Sequence, residues 1–430
     1  MKQIFFILLF SSSIFAQSFL ISNVALPKTY IQNLDPYPCD NACLEEYLDN
    51  GMIFSFLAHT STEFNNQELE SIRFGYLVAL NIKDKSLNRK LRIALLLPYK
   101  KIGRYAASTT NASFAYLMSK NLPFELKSYK IESESNEDIS KALREIQKDQ
   151  FLYVIAPLTQ TGEDIVSKID PKLNIYFPTV NKRDANTTSQ YLYYGGIDYR
   201  AQSDLLLKEA SSPLVIFYDK SLIGKRLTNY QEEQFKTQKI TEDINLSIID
   251  DVEIDNEVVM MDEEILEDNR TVIKFKIPKR TTNLERQLKE NKDITEGSFF
   301  VNTPIIKSGM IISQLTLYDA NATNVLSTQT NYNPLLLSMT QYQDRKKMII
   351  ANSITQNKDV IIETNSLLGN DIVYDWINYT TTIGIDYFFS QLNNSVREYE
   401  VEIIDNQMIY EIELIQPSVS RFIPYQTRIE

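Results

Sequence analysis

Histidine, cysteine and paired carboxylates carry most enzyme chemistry, and this chain of 430 residues is poor in the first two. His59 is its one histidine, and Cys39 and Cys43 are its two cysteines. A hydrolytic triad needs an imidazole base held by an acid, and a zinc site needs about four donors. His59 follows the apolar run "MIFSFLA" (52–58) and has no partners of either kind nearby, so it reads as a structural histidine. Carboxylates are abundant, with 56 Asp and Glu residues, yet no spacing singles out a glycosidase-like pair. A phosphate-binding loop needs closely spaced glycines, because its amides must approach the phosphate. The stretch "RIALLLPYKKIGRYAAS" (92–108) has the strand, turn and helix of such a site but one glycine, Gly103. No nucleophile-elbow pattern is present. These residues predict a protein that is not an enzyme and carries no metal and no cofactor.

The cysteines suggest a compartment. In "PCDNACLEEYLDNG" (38–51), Asp40 reads as a helix cap, Cys43 falls in the first turn and Gly51 ends the helix. Their four-residue spacing can bring two sulfurs together at a helix start, and in an oxidising compartment a disulfide follows. A redox-active pair is the other reading, although thioredoxin-like dithiols are spaced more closely. The N-terminus agrees with export. Lys2, the apolar run Ile4 to Phe10, Ser11 to Ser13 and Ala16 read as a signal peptide, residues 1–16. An uncleaved anchor is the alternative, but the run is short for a bilayer. No cysteine follows the cut, so no lipid anchor is expected, and no later stretch is apolar enough to cross a membrane. Four segments place an acid two residues before Asn-x-Ser/Thr, at Asn186, Asn245, Asn269 and Asn321. They resemble the extended acceptor of some bacterial oligosaccharyltransferases, which modify periplasmic proteins. The expected location is the periplasm. A net charge of −12 argues against nucleic acid and against anionic lipid surfaces.

The elements that would position any site change character at residue 91. Residues 17–90 read as a mainly helical segment holding the disulfide. From there strands and helices alternate: "RIALLLP" (92–98), "FELKSYKI" (124–131), "SNEDISKALREIQKD" (135–149), "FLYVIAPL" (151–158) and "NIYFPTV" (174–180). In the third of these Ser135 is a cap, and Ile139, Leu143 and Ile146 line one face. A second series follows, with "PLVIFYD" (213–219), a helix over 222–238, a strand over 245–254, and a helix over 283–291. Repeated strand–helix–strand units predict parallel sheets covered by helices. The fold class expected is α/β with two Rossmann-like lobes. Lobe 1 spans 91–200 and lobe 2 spans 201–330. Residues 331–430 cross back to lobe 1 and end in a β-hairpin around "DNQ".

Several of these segments resemble the type I periplasmic binding proteins, the family of the branched-chain amino-acid receptors. "RIALLLPYKKIGRYAAS" is similar to their first strand and helix, and "LYVIAPLTQTGEDIV" (152–166) to a strand and loop that usually carries Gly where Ala156 stands. "FPTVN" (177–181), "GSFFVNTPIIKSGMIISQL" (297–315) and "WINYTTTIGIDYFFSQL" (376–392) continue the resemblance, with Gly384 to Tyr387 matching best. "IISQL…VLSTQTNYN" and "GIDYFF" are closer to the binding-protein-like domain of the lipoprotein activators of penicillin-binding proteins. The resemblance covers roughly 91–425 and implies two lobes around a cleft.

It also implies candidate contacts. Receptors of this family hold a ligand's ammonium and carboxylate with hydroxyls and amides, a role open here to Thr159, Thr161 and Thr179. Asn181 and Lys182 stand where small residues are usual, and Lys182 reads as a solvated lysine. Tyr99, Tyr218, Asn302 and Thr303 sit at predicted strand ends, where open α/β sheets bind ligands. The function expected is an exported adaptor or regulator that binds a protein partner in the cell envelope. The alternative is a receptor for an amino-acid-like small molecule, feeding a transporter or sensor.

Overall fold

The computed structural model describes residues 31–426, apart from 32, 34, 36, 61–65, 81–89, 121, 186, 188, 248–269 and 394. The expected signal peptide and the acceptors Asn186 and Asn269 lie outside the described residues. The chain divides into a small helical unit, mainly the residues up to Leu91, and a larger α/β unit.

The helical unit contains α1 (Asn41–Asp49), α2 (Ile53–His59) and α3 (Gln67–Ala79). Asp40 caps α1, its carboxylate accepting from the Cys43 amide at 3.0 Å. Cys39 and Cys43 are disulfide-bonded across this first turn. Leu44, Phe56, Leu57, Leu69 and Leu77 form its core. His59 stacks on Tyr47 at 5.5 Å, with Nε2 3.4 Å from Asp35.

The α/β unit begins with β1 (Leu91–Pro98), α4 (Arg104–Ser119), β2 (Phe124–Ile131), α5 (Asn136–Lys148), β3 (Tyr153–Ile155), α6 (Gln160–Ile169), β4 (Asn174–Phe177) and β5 (Leu192–Tyr194). It continues through α7 (Tyr199–Leu207), β6 (Leu214–Tyr218), α8 (Leu222–Ser247), β7 (Val272–Lys276), β8 (Ser298–Asn302), α9 (Ile305–Leu317), β9 (Asn324–Ser327) and β10 (Met348–Asn352). It closes with α10 (Asp359–Leu367), α11 (Trp376–Asn393), β11 (Glu402–Ile404), β12 (Gln407–Ile409), β13 (Glu413–Pro417) and β14 (Phe422–Pro424).

These strands make two sheets of seven, ordered β11-β12-β5-β4-β3-β1-β2 and β14-β13-β10-β9-β8-β6-β7. The chain changes sheet after β5, after β10 and after β12, so three connections join the lobes. The inner parallel strands, such as β1, β6 and β8, are mostly apolar because both their faces are covered, while the edge strand β7 carries Lys274 and Lys276. In β6, Val215 and Phe217 enter one core cluster while Leu214 and Ile216 enter another, as the two-residue repeat of a strand demands.

Local signals explain several elements. Ser135 caps α5 and accepts from the Asp138 amide at 3.1 Å, and Ile139, Leu143 and Ile146 are buried beneath it. β11 and β12 pair antiparallel, and Asp405 and Asn406 between them both take left-handed φ values, 49° and 62°. Gly384 is required by close approach, since a Cβ there would lie 2.2 Å from the Tyr176 ring. Asp386 is buried and accepts from the Tyr116 hydroxyl at 2.6 Å and the Glu398 amide at 2.8 Å. The best-matching stretch, Gly384 to Tyr387, thus packs α11 on the first sheet.

Two expectations differ from the fold. The strand expected over 245–254 begins inside α8, which runs on to Ser247 because no glycine or proline interrupts it after Gly224. The helix expected over 283–291 is a single turn, Glu285–Leu288, ended by extended Lys289 and left-handed Glu290.

Candidate binding cleft

In an open α/β sheet, ligands bind beyond the C-terminal ends of the strands. On the first lobe those ends carry the loops after β1, β3 and β4. On the second they carry the loops after β6, β8 and β9.

The loop after β3 ends in Thr159, the cap of α6. A helix N-terminus favours an anion, through its free amides and the helix dipole. Here the anion comes from the chain itself. The Glu134 carboxylate, from the β2–α5 loop, accepts the Thr159 amide at 2.7 Å and the Thr159 hydroxyl. Glu134 is buried, packed over Gly162 in the first turn of α6.

Beside it, side chains from both lobes close on one another. Arg226 of α8, in the second lobe, donates to Asp184 at 2.8 Å and to Gln160 at 3.1 Å, both in the first lobe. Arg200 donates to the other oxygen of Asp184 at 3.1 Å. Gln160 also donates to the Asp184 carbonyl at 2.5 Å, and Arg183 pairs with Asp198 at 3.1 Å. The Arg200 guanidinium lies 5.6 Å from the centre of the Tyr230 ring, whose hydroxyl donates to Asp204 at 2.7 Å. The pocket these groups line, together with Asn181, Ile197, Tyr199 and Leu227, has a volume of ≈ 20 Å³. That is room for about one water, against about 300 Å³ or more for an ordinary small-molecule site.

Several side chains at the second lobe's strand ends also bond to one another. Asn302 donates to Gln231 at 2.6 Å, and Thr303 shares a hydrogen bond with Ser308 at 2.8 Å. Gln202 donates to Ser353 at 2.7 Å and accepts from the Gln329 amide at 2.9 Å.

The sequence candidates are placed as follows. Asn181 lines the interlobe pocket, held by its donation to the Gly196 carbonyl at 3.0 Å. Thr159 is bonded to Glu134, and the Thr179 hydroxyl donates to the Leu158 carbonyl at 2.5 Å. Thr161 is exposed on α6. Tyr99 is exposed, with the Lys130 ammonium 5.0 Å from its ring centre. Tyr218 is half-buried at the end of β6, and Asn302 and Thr303 are buried. Lys182 donates to the Asp405 carbonyl at 2.5 Å, toward the β11–β12 turn. Of the remaining acceptor asparagines, Asn321 is exposed on a turn with φ 40°, and Asn245 lies in the last turn of α8.

The residues that fill the cleft, Glu134, Gln160, Asp184, Arg200 and Arg226, went unselected in the sequence. One signal was available: "KRDAN" follows "FPTVN" directly, so Asp184 belongs to a loop already placed at the cleft. Nothing in the sequence pairs it with residue 226.

Away from the cleft, Glu163 is wholly buried in lobe 1. One carboxylate oxygen accepts from Ser167 at 2.5 Å and Tyr194 at 2.7 Å, and the other has no partner. Burial pushes its carboxyl up from the ordinary range. Among the described residues, no group of His, Cys, Asp and Glu is arranged to hold a metal ion, and no helix is long and apolar enough to cross a membrane.

No protein-family model and no curated protein sequence matches the chain. Solved structures do. A leucine-binding protein, LivK, of Thermotoga maritima superposes with a TM-score of 0.53 at 12% identity, over 78% of this chain and 98% of that one. A Rhodopseudomonas palustris transporter solute-binding protein, solved with 3,4-dihydroxybenzoic acid, gives 0.51 at 11% identity, over 76% and 93%. Haemophilus influenzae LpoA gives 0.49 at 10% identity, over 90% and 72%. The two-lobed α/β fold is that of the type I periplasmic binding proteins.

Proposed function

We propose that this chain is an exported, non-catalytic adaptor or regulator that binds a protein partner in the cell envelope. The observation that carries the reading is the self-occupied cleft. An internal carboxylate, Glu134, sits at the helix start that would receive an anionic ligand group. An arginine from one lobe is already bonded to Asp184 and Gln160 of the other. A receptor must leave such groups free for its ligand and close around it. With both positions filled, recognition is left to the outer surfaces and to the helical unit, where Phe54 and Tyr37 are exposed.

The test is native mass spectrometry of the protein purified from its own periplasm, with thermal shifts against the common amino acids and aromatic acids. The expected result is no stoichiometric small molecule and no shift. A single small molecule retained at one per chain overturns the adaptor reading and establishes a solute receptor. The intact mass checks two further expectations, a glycan on Asn321 and cleavage after Ala16.

A further inference from the structure

We infer that the loops after β6, β7 and β8 form a docking surface for an acidic protein segment with aliphatic anchors. The inference rests on the adaptor reading and names the chemistry of its partner.

The three strands end side by side. Tyr218 is in register with Lys276 on one side and Asn302 on the other. Neighbouring strands lie about 4.8 Å apart, so the three loops start within about 10 Å of one another. They are also stitched together. Lys307, after β8, donates to the Thr281 carbonyl, after β7. Gly224, after β6, packs on the Asn302 carbonyl, 3.3 Å from where a Cβ would stand.

The first residues of these loops carry mainly positive charge, and Glu285, Glu290, Asp293 and Glu296 come later in the connection after β7. Lys220 and Lys225 follow β6, while Lys276, Lys279 and Arg280 come from the end of β7. None of the five has an ion-pair partner among the described residues. Between 219 and 226, 276 and 284, and 303 and 307 the sole carboxylate is Asp219. It is turned back on Ser221, accepting the amide at 3.0 Å and the hydroxyl at 2.5 Å. Five cations against one carboxylate make this a locally basic edge in a chain of net charge −12.

Apolar side chains lie among these cations. Leu222 is 87% exposed, Ile306 59% and Ile223 40%. Apolar anchors ringed by charge are the anatomy of a protein interface, in which the anchors supply affinity and the charges supply selectivity and encounter rate. The surface is a row of three loops, and Tyr218 beside it is half-buried at the end of β6. That fits a single acidic segment better than a flat bilayer.

The experiment uses the exported protein and short fluorescein-labelled Glu/Leu peptides, with Gln/Leu and Lys/Leu peptides as controls, read by anisotropy. Only the Glu/Leu peptide is expected to bind, and more weakly as salt rises. The pair Lys279→Glu and Arg280→Glu should weaken it about tenfold, and Leu222→Ser with Ile306→Ser by a similar factor. The control pair Lys141→Glu and Arg144→Glu, exposed on α5, should leave it unchanged. Equal weakening by the rim pair and the α5 pair overturns the inference, since attraction is then diffuse. So does rim-dependent sedimentation with phosphatidylglycerol vesicles without peptide preference, which makes the surface lipid-facing. If no peptide binds and native mass spectrometry finds no small molecule, the docking surface fails and the adaptor reading stands. If a small molecule is retained, the adaptor reading itself fails.

Discussion

The cleft and the outer rim of lobe 2 are built on the same kind of strand end, yet they treat charge in opposite ways. In the cleft, Asp184 is shared by Arg200 and Arg226, Arg183 pairs with Asp198, and Glu134 sits on the Thr159 amide and hydroxyl. On the rim, Lys220, Lys225, Lys276, Lys279 and Arg280 are open to solvent and have no ion-pair partner among the described residues. A charge that loses water must find a partner, so the cleft network is a structural requirement once the lobes meet. A solvated charge keeps its water and can wait for a partner. The same fold thus spends one edge on holding itself together and keeps the other free.

Breaking the cleft network should give the largest effect. Asp184→Ala leaves Arg200 and Arg226 facing each other around a side chain only 16% exposed. A loss of about 2–4 kcal/mol is expected by urea unfolding, with a larger radius of gyration by small-angle scattering. An unchanged radius and midpoint would mean the contact does not hold the lobes. Thr159→Val keeps the amide bond to Glu134 but removes the hydroxyl, for an expected loss of about 1–2 kcal/mol. Arg226→Ala removes one half-exposed ion pair and should lose about 1 kcal/mol, and added salt should shrink the difference.

Glu163 sharpens the comparison from a third side, because it is buried with one oxygen unpartnered. Its carboxyl is raised by burial, so the folded protein keeps that proton to higher pH than the unfolded chain. Between the ordinary carboxylate range and the raised value the folded state binds more protons, and stability falls as pH rises. Glu163→Gln keeps an acceptor for Ser167 and Tyr194 and removes the charge. The melting temperature of the variant, relative to the parent, should therefore increase between about pH 4 and about pH 7. A difference that is flat with pH would show that the Glu163 carboxyl titrates in the folded protein where it does in the unfolded chain. The smallest effect belongs to the rim: Leu222→Ser and Lys225→Glu should each change stability by no more than about 0.5 kcal/mol. A larger loss would mean these side chains are part of the fold and not of an interface.

Much of the scaffold was legible in the residues. The Ser135 cap and the face of α5, the mainly apolar runs of β1 and β8, the turn at Asp405–Asn406 and the Cys39–Cys43 bond all follow from local rules. The candidate site was less legible, and Asn302 shows why. The strand-end rule puts its backbone at the cleft, but the residue is still in register with Tyr218, and its side chain turns under α8 to Gln231 and Thr228. Thr159 reads in the sequence as a hydroxyl that could hold a ligand, and in the fold its hydroxyl meets Glu134, 25 residues back in a loop.

By itself, then, the sequence determined the two-lobed α/β class, the helical segment with its disulfide and the lack of triad and phosphate-loop motifs, because these depend on periodicity, capping and residue type over short spans. Only the tertiary structure decided that the cleft is filled from within and that the rim of lobe 2 is not. Those outcomes depend on which side chains meet across 25 residues, as Glu134 and Thr159 do, or across 42, as Asp184 and Arg226 do. Contacts at such separations are set by the packing of whole elements and leave no local pattern to read.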